Sequence, residues 1–223
     1  MRINIIQHTP NERAGFIKTW ANINEHDIYV YHPYCFNGVL PKMSETDMLV
    51  ILGGPMSPND SIDWIEKERE LILQLMEKQI PIFGACFGAQ QIAKAMGCEV
   101  KRANHKEVGW DTVYYKTDII PGIPDSFNAL HWHQDMFEIP VGAIPLFSTK
   151  LLENQGFLLG EKVIGLQFHL EPTAEDVREI VINDYNYPTE NNSLKQTSDD
   201  ILRAPFPNLN VMILFNLLDY ITK

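Results

Sequence analysis

The feature that most constrains the fold of this chain is a regular alternation of short apolar runs with amphipathic segments. Residues 62–79 carry apolar side chains at helical spacing with charges between them, and a similar segment at 89–96 ends at Gly97. Strand-like apolar runs lie at 3–6, 27–31, 47–52 and 80–83, and a further helix is predicted near 14–20. Helices between successive strands make those strands parallel. The pattern therefore predicts an α/β fold with a central, mostly parallel sheet flanked by helices.

The middle of the chain, residues 99–167, is rich in strand-like runs that are separated by turns. The run "GFLLGEKVIGLQFH" is typical of a hairpin that turns near Gly160 and Glu161. We therefore expect a small antiparallel sheet addition beside the parallel strands. Beyond it the sequence predicts a helix at 173–183, a polar loop at 185–200 and a final helix at 208–221. No internal repeat and no dividing linker occurs, so we expect a single domain over residues 1–223.

Composition excludes several classes of function. The 18 Lys and Arg residues against 29 Asp and Glu give a formal net charge of -11, and no basic run occurs, which argues against nucleic-acid binding. No apolar run approaches the roughly 18 residues of a membrane span, and the N-terminus is too short and polar for a signal peptide. The three cysteines form no C-x-x-C pair, so we expect neither a disulfide framework nor a zinc ribbon. A cytoplasmic protein is the simplest interpretation.

One cysteine lies in a distinctive setting. Cys86 is the centre of "GACFG", which directly follows the apolar run at 80–83 and precedes a helical segment. A strand, a sharp turn with a nucleophile and then a helix form a nucleophile elbow, in which Gly84 and Gly88 allow close backbone approach. The positive end of the following helix favours the thiolate. Free cysteine is also among the most buried residue types, so this motif alone leaves a packed structural thiol open.

A base for such a thiol occurs further along the chain. The stretch "GLQFHLEPT" contains His169 and Glu171, which share one face of an extended strand end because they are two residues apart. The carboxylate would fix the tautomer of the imidazole, and the imidazole would accept and return the proton. A histidine and a glutamate at this spacing are most often ordinary surface residues, but together with "GACFG" they indicate a catalytic triad.

A third element would stabilise negative charge. The stretch "VILGGPMSP" ends a strand at Gly53, Gly54 and Pro55, and the backbone N–H groups of this turn could face an oxyanion. One of them, together with the N–H of Phe87, would make a two-donor oxyanion hole. Taken alone, the turn could simply end a strand. The chain contains no G-x-x-x-x-G-K-[ST] phosphate-binding loop.

Together these three stretches resemble the class I, triad-type glutamine amidotransferase domain over most of the chain. The matches are "GGP", "GACFGAQ" and "QFHLE", in the order and separation typical of that family. Two further stretches, "HKEVGWDTV" and "HWHQDMFEIPVGA", are similar to a stand-alone branch related to the amidotransferase half of GMP synthase and to the γ-glutamyl peptidases.

The resemblance implies a flavodoxin-like sheet and a set of roles. Cys86 would be the nucleophile, His169 the general base and acid, and Glu171 the residue that orients His169. Gly54 and Phe87 would supply the oxyanion-hole N–H groups. The residues expected near the substrate are Gly53, Gln90, His133, Gln134 and Asp135.

The chain departs from the family pattern at two positions. Leu170 stands where members of the family often have proline, and its side chain alternates away from the site. Gln134 stands where relatives commonly have glycine in a His-Gly-Asp sequence, which would change the shape of the substrate pocket. His131 and His133 share a strand face, as two zinc ligands would, and Asp135 is nearby. A third ligand is not evident, so we expect no metal and no cofactor.

The predicted reaction is cysteine-dependent hydrolysis of a γ-glutamyl amide, with glutamine as the first candidate substrate. As a glutamine amidotransferase, the chain would pass ammonia to a separate synthetase partner, because no ATP-binding motif occurs in it. As an alternative, it would hydrolyse γ-glutamyl peptides alone. A non-catalytic regulatory module is a third possibility, against which the intact cysteine, histidine and glutamate argue.

Overall fold

A computed structural model of the protein describes residues 1–223. The strands are β1 (Arg2–Ile6), β2 (Asp27–Tyr31), β3 (Met48–Ile51), β4 (Ile82–Ala85), β5 (Val100–Tyr115), β6 (Ser126–Phe137), β7 (Ala143–Ser148), β8 (Gly156–Leu159) and β9 (Val163–Leu166). The α-helices are α1 (Gly15–Ile23), α2 (Asp63–Glu77), α3 (Phe87–Ala95), α4 (Ala174–Asn183), α5 (Ser198–Arg203) and α6 (Leu209–Thr222). None of these helices combines the length and the apolar character that a membrane crossing requires.

All nine strands join one sheet, in the order β2-β1-β3-β4-β9-β8-β7-β5-β6. The pairs from β2 to β9 are parallel and those from β9 to β6 are antiparallel. The predicted α/β class is confirmed, and the antiparallel strands continue the parallel sheet. The hairpin of β8 and β9 turns at Gly160, whose φ of 60° suits glycine.

Helices cover both faces of the parallel strands, which explains their continuous apolar runs. In β3, Met48 and Val50 belong to the apolar cluster beneath α1 and α6, whereas Leu49 and Ile51 belong to the cluster beneath α2 and α3. This alternation follows from the two-residue period of a strand. Because helices cover both faces of the sheet, a ligand site is expected at the carboxyl ends of the parallel strands.

The segment at 185–200, for which the sequence predicts a loop, is tied to strand β5. The Asn192 side chain bonds to the N–H and C=O of Val108, and the Gln196 side chain does the same with Trp110. These amides imitate the hydrogen bonds of a neighbouring strand. The loop prediction is wrong for 198–200, which begin α5 with a capping box at Thr197.

Candidate active site

Three neighbouring strands bring the predicted catalytic residues together. Strands β3, β4 and β9 are adjacent and parallel, and the register pairs Ile51 with Gly84 and Ala85 with Leu166. The carboxyl ends of the three strands therefore meet at one edge. The chain leaving β3 supplies Gly53 and Gly54, the chain leaving β4 supplies Cys86, and the chain leaving β9 supplies His169 and Glu171.

Cys86 is held in a strained turn between β4 and α3. Its φ of 50° and ψ of -108° are a conformation that non-glycine residues rarely adopt. The backbone is fixed there because the Cys86 N–H donates to Leu166 O at 2.7 Å. Helix α3 approaches β3 so closely that a Cβ on Gly88 would overlap with the Ile51 carbonyl. The backbone strain at Cys86 is the arrangement expected of a nucleophile elbow.

His169 is oriented by Glu171. Nδ1 of His169 lies 2.6 Å from Oε1 of Glu171, and the other carboxylate oxygen accepts the Leu170 N–H at 3.0 Å. The backbone of Glu171 is anchored as well, because its carbonyl accepts the Phe16 N–H at the start of α1 at 2.8 Å. The carboxylate thus holds the proton on Nδ1 and leaves Nε2 available. The side chains of His169 and Glu171 are both buried.

The thiol and the imidazole influence each other. Nε2 of His169 makes no regular hydrogen bond in the resting protein. Burial raises the pKa of the Cys86 thiol, while His169 and the Phe87 N–H act in the opposite direction. Burial alone would lower the pKa of His169, but Glu171 and Cys86 outweigh it and hold that pKa well above its ordinary value. The arrangement favours transfer of the thiol proton to His169.

The two predicted oxyanion donors come from the chain segments that follow β3 and β4. Phe87 follows Cys86 at the start of α3, and its N–H acts to lower the pKa of the thiol. Gly54 lines the same cavity as Cys86, and its N–H has no acceptor within the protein. Gly53, predicted near the substrate, lies behind this surface: a Cβ there would overlap with the Glu12 carboxylate and lie 3.0 Å from Cε1 of His169.

A pair of glutamines backs the thiol. Gln90, predicted to contact substrate, lines the cavity and donates from Nε2 to Oε1 of Gln167 at 3.1 Å. Gln167 in turn directs its Nε2 toward Sγ of Cys86 at 3.7 Å. Both side chains are buried. Gln90 therefore reaches Cys86 through Gln167, a residue to which the sequence assigns no role.

The 133–135 segment forms another wall of the cavity. His133, Gln134 and Asp135 all line it, together with Trp132 and Tyr187. The Asp135 carboxylate accepts a hydrogen bond from Ser57 Oγ at 3.3 Å, so it lies beside the chain leaving β3. The predicted substrate segment and the nucleophile thus face one space of about 360 Å³, within the range of small-molecule sites.

Behind this wall lies a buried ionic cluster. Nε2 of His133 is 3.3 Å from Oε2 of Glu107 and 3.4 Å from Nδ1 of His131, and Oε1 of Glu107 accepts from Thr149 Oγ1 at 2.7 Å. Burial alone would raise the pKa of Glu107, but the hydrogen bond from His133 and the other partners hold it at about 2. Burial lowers the pKa of His131 to about 3.

Glu107, His131 and His133 form a group that could hold a metal ion. Their ligand atoms lie within 4.8 Å of one another, and Glu107, not Asp135, is the third member beside the two histidines. Glu107 lies opposite His133 in the β5–β6 pairing, which the sequence does not reveal. Hydrogen bonds within the cluster already satisfy the Glu107 carboxylate. The contacts of Glu107 and His131 with Nε2 of His133 hold the His133 side chain in the cavity wall.

We expect Glu107→Gln to reduce stability in a pH-dependent manner. A carboxyl whose folded pKa is about 2, against an ordinary 4.5, contributes roughly 3 kcal/mol above pH 4.5, and this contribution is lost as the pH falls to 2. The difference in unfolding free energy between wild type and variant should therefore narrow as the pH falls. Denaturant titrations from pH 7 to 2.5 measure it, with the exposed Glu161→Gln as control. A constant difference would contradict the interpretation.

Several residues around Cys86 lie outside the sequence predictions. Gln167 and Glu107 fall within quoted motifs but carry no signal of their own. Glu12 lies in the loop after β1, at the same sheet edge as Cys86, and Tyr187 lies in the segment after α4. Only the expected position of the β1 loop at the carboxyl edge could have suggested one of them, Glu12.

The sequence is similar to those of several glutamine amidotransferase-like proteins. The chain is 28% identical over 191 residues to the glutamine amidotransferase-like protein YfeJ of Salmonella typhimurium, covering 81% of this chain and 80% of that one. It is 31% identical over 150 residues to a subunit of the glutamine-hydrolysing GMP synthase of Methanococcus vannielii, covering 66% and 75%.

Solved structures of glutamine amidotransferases superpose on this chain over almost its full length. The crystal structure of a glutamine amidotransferase from Thermotoga maritima superposes with a TM-score of 0.90 at 26% identity, covering 100% of this chain and 98% of that one. One from Methylobacillus flagellatus gives 0.88 at 26% identity, covering 99% and 92%. The family model described as glutamine amidotransferase class-I matches residues 17–185. The chain therefore belongs to the class I glutamine amidotransferase family.

Proposed function

We propose that the protein hydrolyses γ-glutamyl amides through a thioester on Cys86, with glutamine as the simplest substrate. The observation that supports this most directly is that Cys86 lines the cavity while His169 and Glu171 are buried beside it and His169 acts on the pKa of the thiol. Nδ1 of His169 lies 2.6 Å from the Glu171 carboxylate, and its other ring nitrogen has no competing partner. A thiol, an imidazole and a carboxylate in this order suit acyl transfer.

In the first half of the reaction, the thiol proton passes to Nε2 of His169 and the thiolate attacks the γ-carbonyl carbon. The oxyanion that forms would accept hydrogen bonds from the N–H groups of Gly54 and Phe87. His169 then gives its proton to the leaving nitrogen, the C–N bond breaks, and ammonia or an amine departs. A γ-glutamyl thioester remains on Cys86.

In the second half, His169 removes a proton from water as the water oxygen attacks the thioester. The tetrahedral species collapses with release of glutamate, and the sulfur regains its proton from His169. Glu171 stays ionised throughout and stabilises the imidazolium. The same steps serve any γ-glutamyl amide, so only the leaving amine distinguishes a glutaminase from a γ-glutamyl peptidase.

A separate ammonia acceptor is the second part of the proposal. The relative from Methanococcus vannielii is named as one subunit of a glutamine-hydrolysing GMP synthase, which makes it part of a larger enzyme. By analogy, this chain would deliver ammonia to a synthetase carried on another chain. The alternative of a self-sufficient γ-glutamyl hydrolase is favoured by the cavity of about 360 Å³, which accommodates a ligand larger than one amino acid.

The test is a comparison of substrates with the purified chain. We expect release of ammonia from glutamine, or of amine from γ-glutamyl peptides, together with a γ-glutamyl adduct on Cys86 in rapidly quenched samples examined by mass spectrometry. Peptide turnover far above glutamine turnover would select the hydrolase. Absence of both turnover and adduct, in a protein that is folded by circular dichroism, would overturn the proposal.

A further inference from the structure

The cavity above Cys86 has a strongly one-sided charge. Its lining includes three carboxylates, Glu12, Asp135 and Asp184, and no lysine or arginine. They come from three separate elements, the loop after β1, strand β6 and the end of α4, so the fold converges them on one space. The chain as a whole carries a net charge of -11, which adds to the negative potential that a cleft focuses.

Among the three carboxylates, Glu12 has the most unusual surroundings, which shift its pKa. Its carboxylate lies against Gly53 and near Cε1 of His169, yet no group in the protein donates a hydrogen bond to it. Burial raises its pKa to about 7, Glu171 and Asp184 act in the same direction, and His169 opposes them. Glu12 is half-buried and lines the cavity, so a cationic group of a ligand could form a charge-assisted hydrogen bond with its carboxylate.

The neighbouring cations do not pair with these carboxylates. Lys106 donates to the Tyr187 carbonyl and lies over the ring of Tyr187, and it does not line the cavity. Arg13 pairs with Asp176, and Arg69 bonds to Pro58 and Gln91. Arg102 lies opposite Asp135 in the β5–β6 pairing, but its side chain is exposed, forms no ion pair with Asp135 and does not line the cavity. No lysine or arginine therefore lines the cavity or forms an ion pair with its three carboxylates.

This charge discriminates among γ-glutamyl amides by their leaving groups. The γ-glutamyl head is a zwitterion, so glutamine is neutral overall, a γ-glutamyl peptide carries an extra carboxylate, and a γ-glutamyl diamine carries an extra ammonium. Asp184 is exposed, whereas Cys86 is buried in the wall of the same cavity, so a carboxylate is available away from the scissile bond. Like charge disfavours the peptide there, and opposite charge favours the diamine.

We propose that the preferred substrates are γ-glutamyl amides of amines that carry a second, cationic group. The carboxylates of Glu12, Asp135 and Asp184 select that charge. This proposal rests on the proposed function. The bond broken remains the γ-glutamyl C–N bond, and the products are glutamate and the free diamine. Hydrolysis requires only water, so no further reactant is needed. The cavity of about 360 Å³ accommodates the longer leaving group.

Three substrates whose leaving groups have similar lengths but different charges test the selection: the γ-glutamyl amides of 1,4-diaminobutane, butylamine and 4-aminobutanoate. We expect kcat/KM to fall in that order, by about tenfold per step at low salt, with a smaller spread at high salt because ions screen the interaction. Equal or reversed values would overturn the charge selection while leaving the hydrolase intact. Failure of all three and of glutamine, without an adduct on Cys86, would instead overturn the proposed function.

Two variants assign the effect to named carboxylates. Glu12→Gln and Asp184→Asn should each lower the ratio of kcat/KM for the diamine amide to that for the butyl amide several-fold. Glu161→Gln removes an exposed carboxylate outside the cavity and should leave the ratio unchanged. A ratio that stays the same in both cavity variants would overturn the assignment, even if overall activity falls, since a merely structural loss affects both substrates equally.

Discussion

Replacing Cys86 with serine is expected to lower kcat for γ-glutamyl amide hydrolysis by at least about 10⁴-fold, the scale seen when one member of a catalytic triad is removed. The substitution keeps the size and the strained backbone but exchanges sulfur for a far less acidic oxygen. The burial that raises the pKa of the thiol would act on the hydroxyl too, and His169 would have to deprotonate a weaker acid. Stopped assays of released ammonia or amine measure the loss.

The chain supplies its own matched controls for this variant. Cys35 is exposed and Cys98 is half-buried, and neither lines the cavity. Serine at either position should leave kcat within about twofold, because such substitutions away from the site are usually mild. An unchanged rate in Cys86→Ser would overturn the nucleophile assignment. A comparable loss in Cys98→Ser would mean that the assay reports folding, which thermal denaturation of each variant checks.

The grouping of Cys86, His169 and Glu171 was predictable because it depends on local patterns. Parallel strands end at one edge of their sheet, so motifs that directly follow apolar runs must gather there. The strained turn at Cys86 and the pairing of His169 with Glu171 follow from spacings of one or two residues. Neither needs knowledge of which strands are neighbours, although the adjacency of β3, β4 and β9 sets the distances.

Other residues around the cavity were not predictable, because their positions depend on long-range pairing and on loop conformation. Glu107 meets His133 only through the register of β5 against β6, which contains an irregularity between Arg102 and Glu107. Glu12 and Asp184 lie in loops, where no periodicity marks the direction of a side chain. The charge of the cavity is therefore a property of the fold, although each of its residues is visible in the sequence.

His169→Ala should lower kcat by about 10⁴-fold, as the removal of a triad base does. Two effects combine. Burial raises the pKa of Cys86, and His169 is the largest influence that opposes it, so the thiol of the variant should stay protonated at neutral pH. The leaving nitrogen would also lose its proton donor. Reaction of Cys86 with iodoacetamide, followed against pH, separates these effects, because alkylation needs the thiolate but no leaving-group proton.

The alkylation profile of the His169→Ala variant should therefore move to higher pH than that of the wild type, and its rate at pH 7 should fall. Glu171→Gln should produce a smaller loss, because it removes the carboxylate at 2.6 Å but leaves the imidazole in place. His105→Ala changes an exposed histidine outside the cavity and should leave both the profile and kcat unaltered.

A loss below tenfold in His169→Ala, with an unshifted alkylation profile, would assign the general base to another residue. Glu12 would then be the next candidate, since its pKa of about 7 suits a general base and it lies beside the same ring.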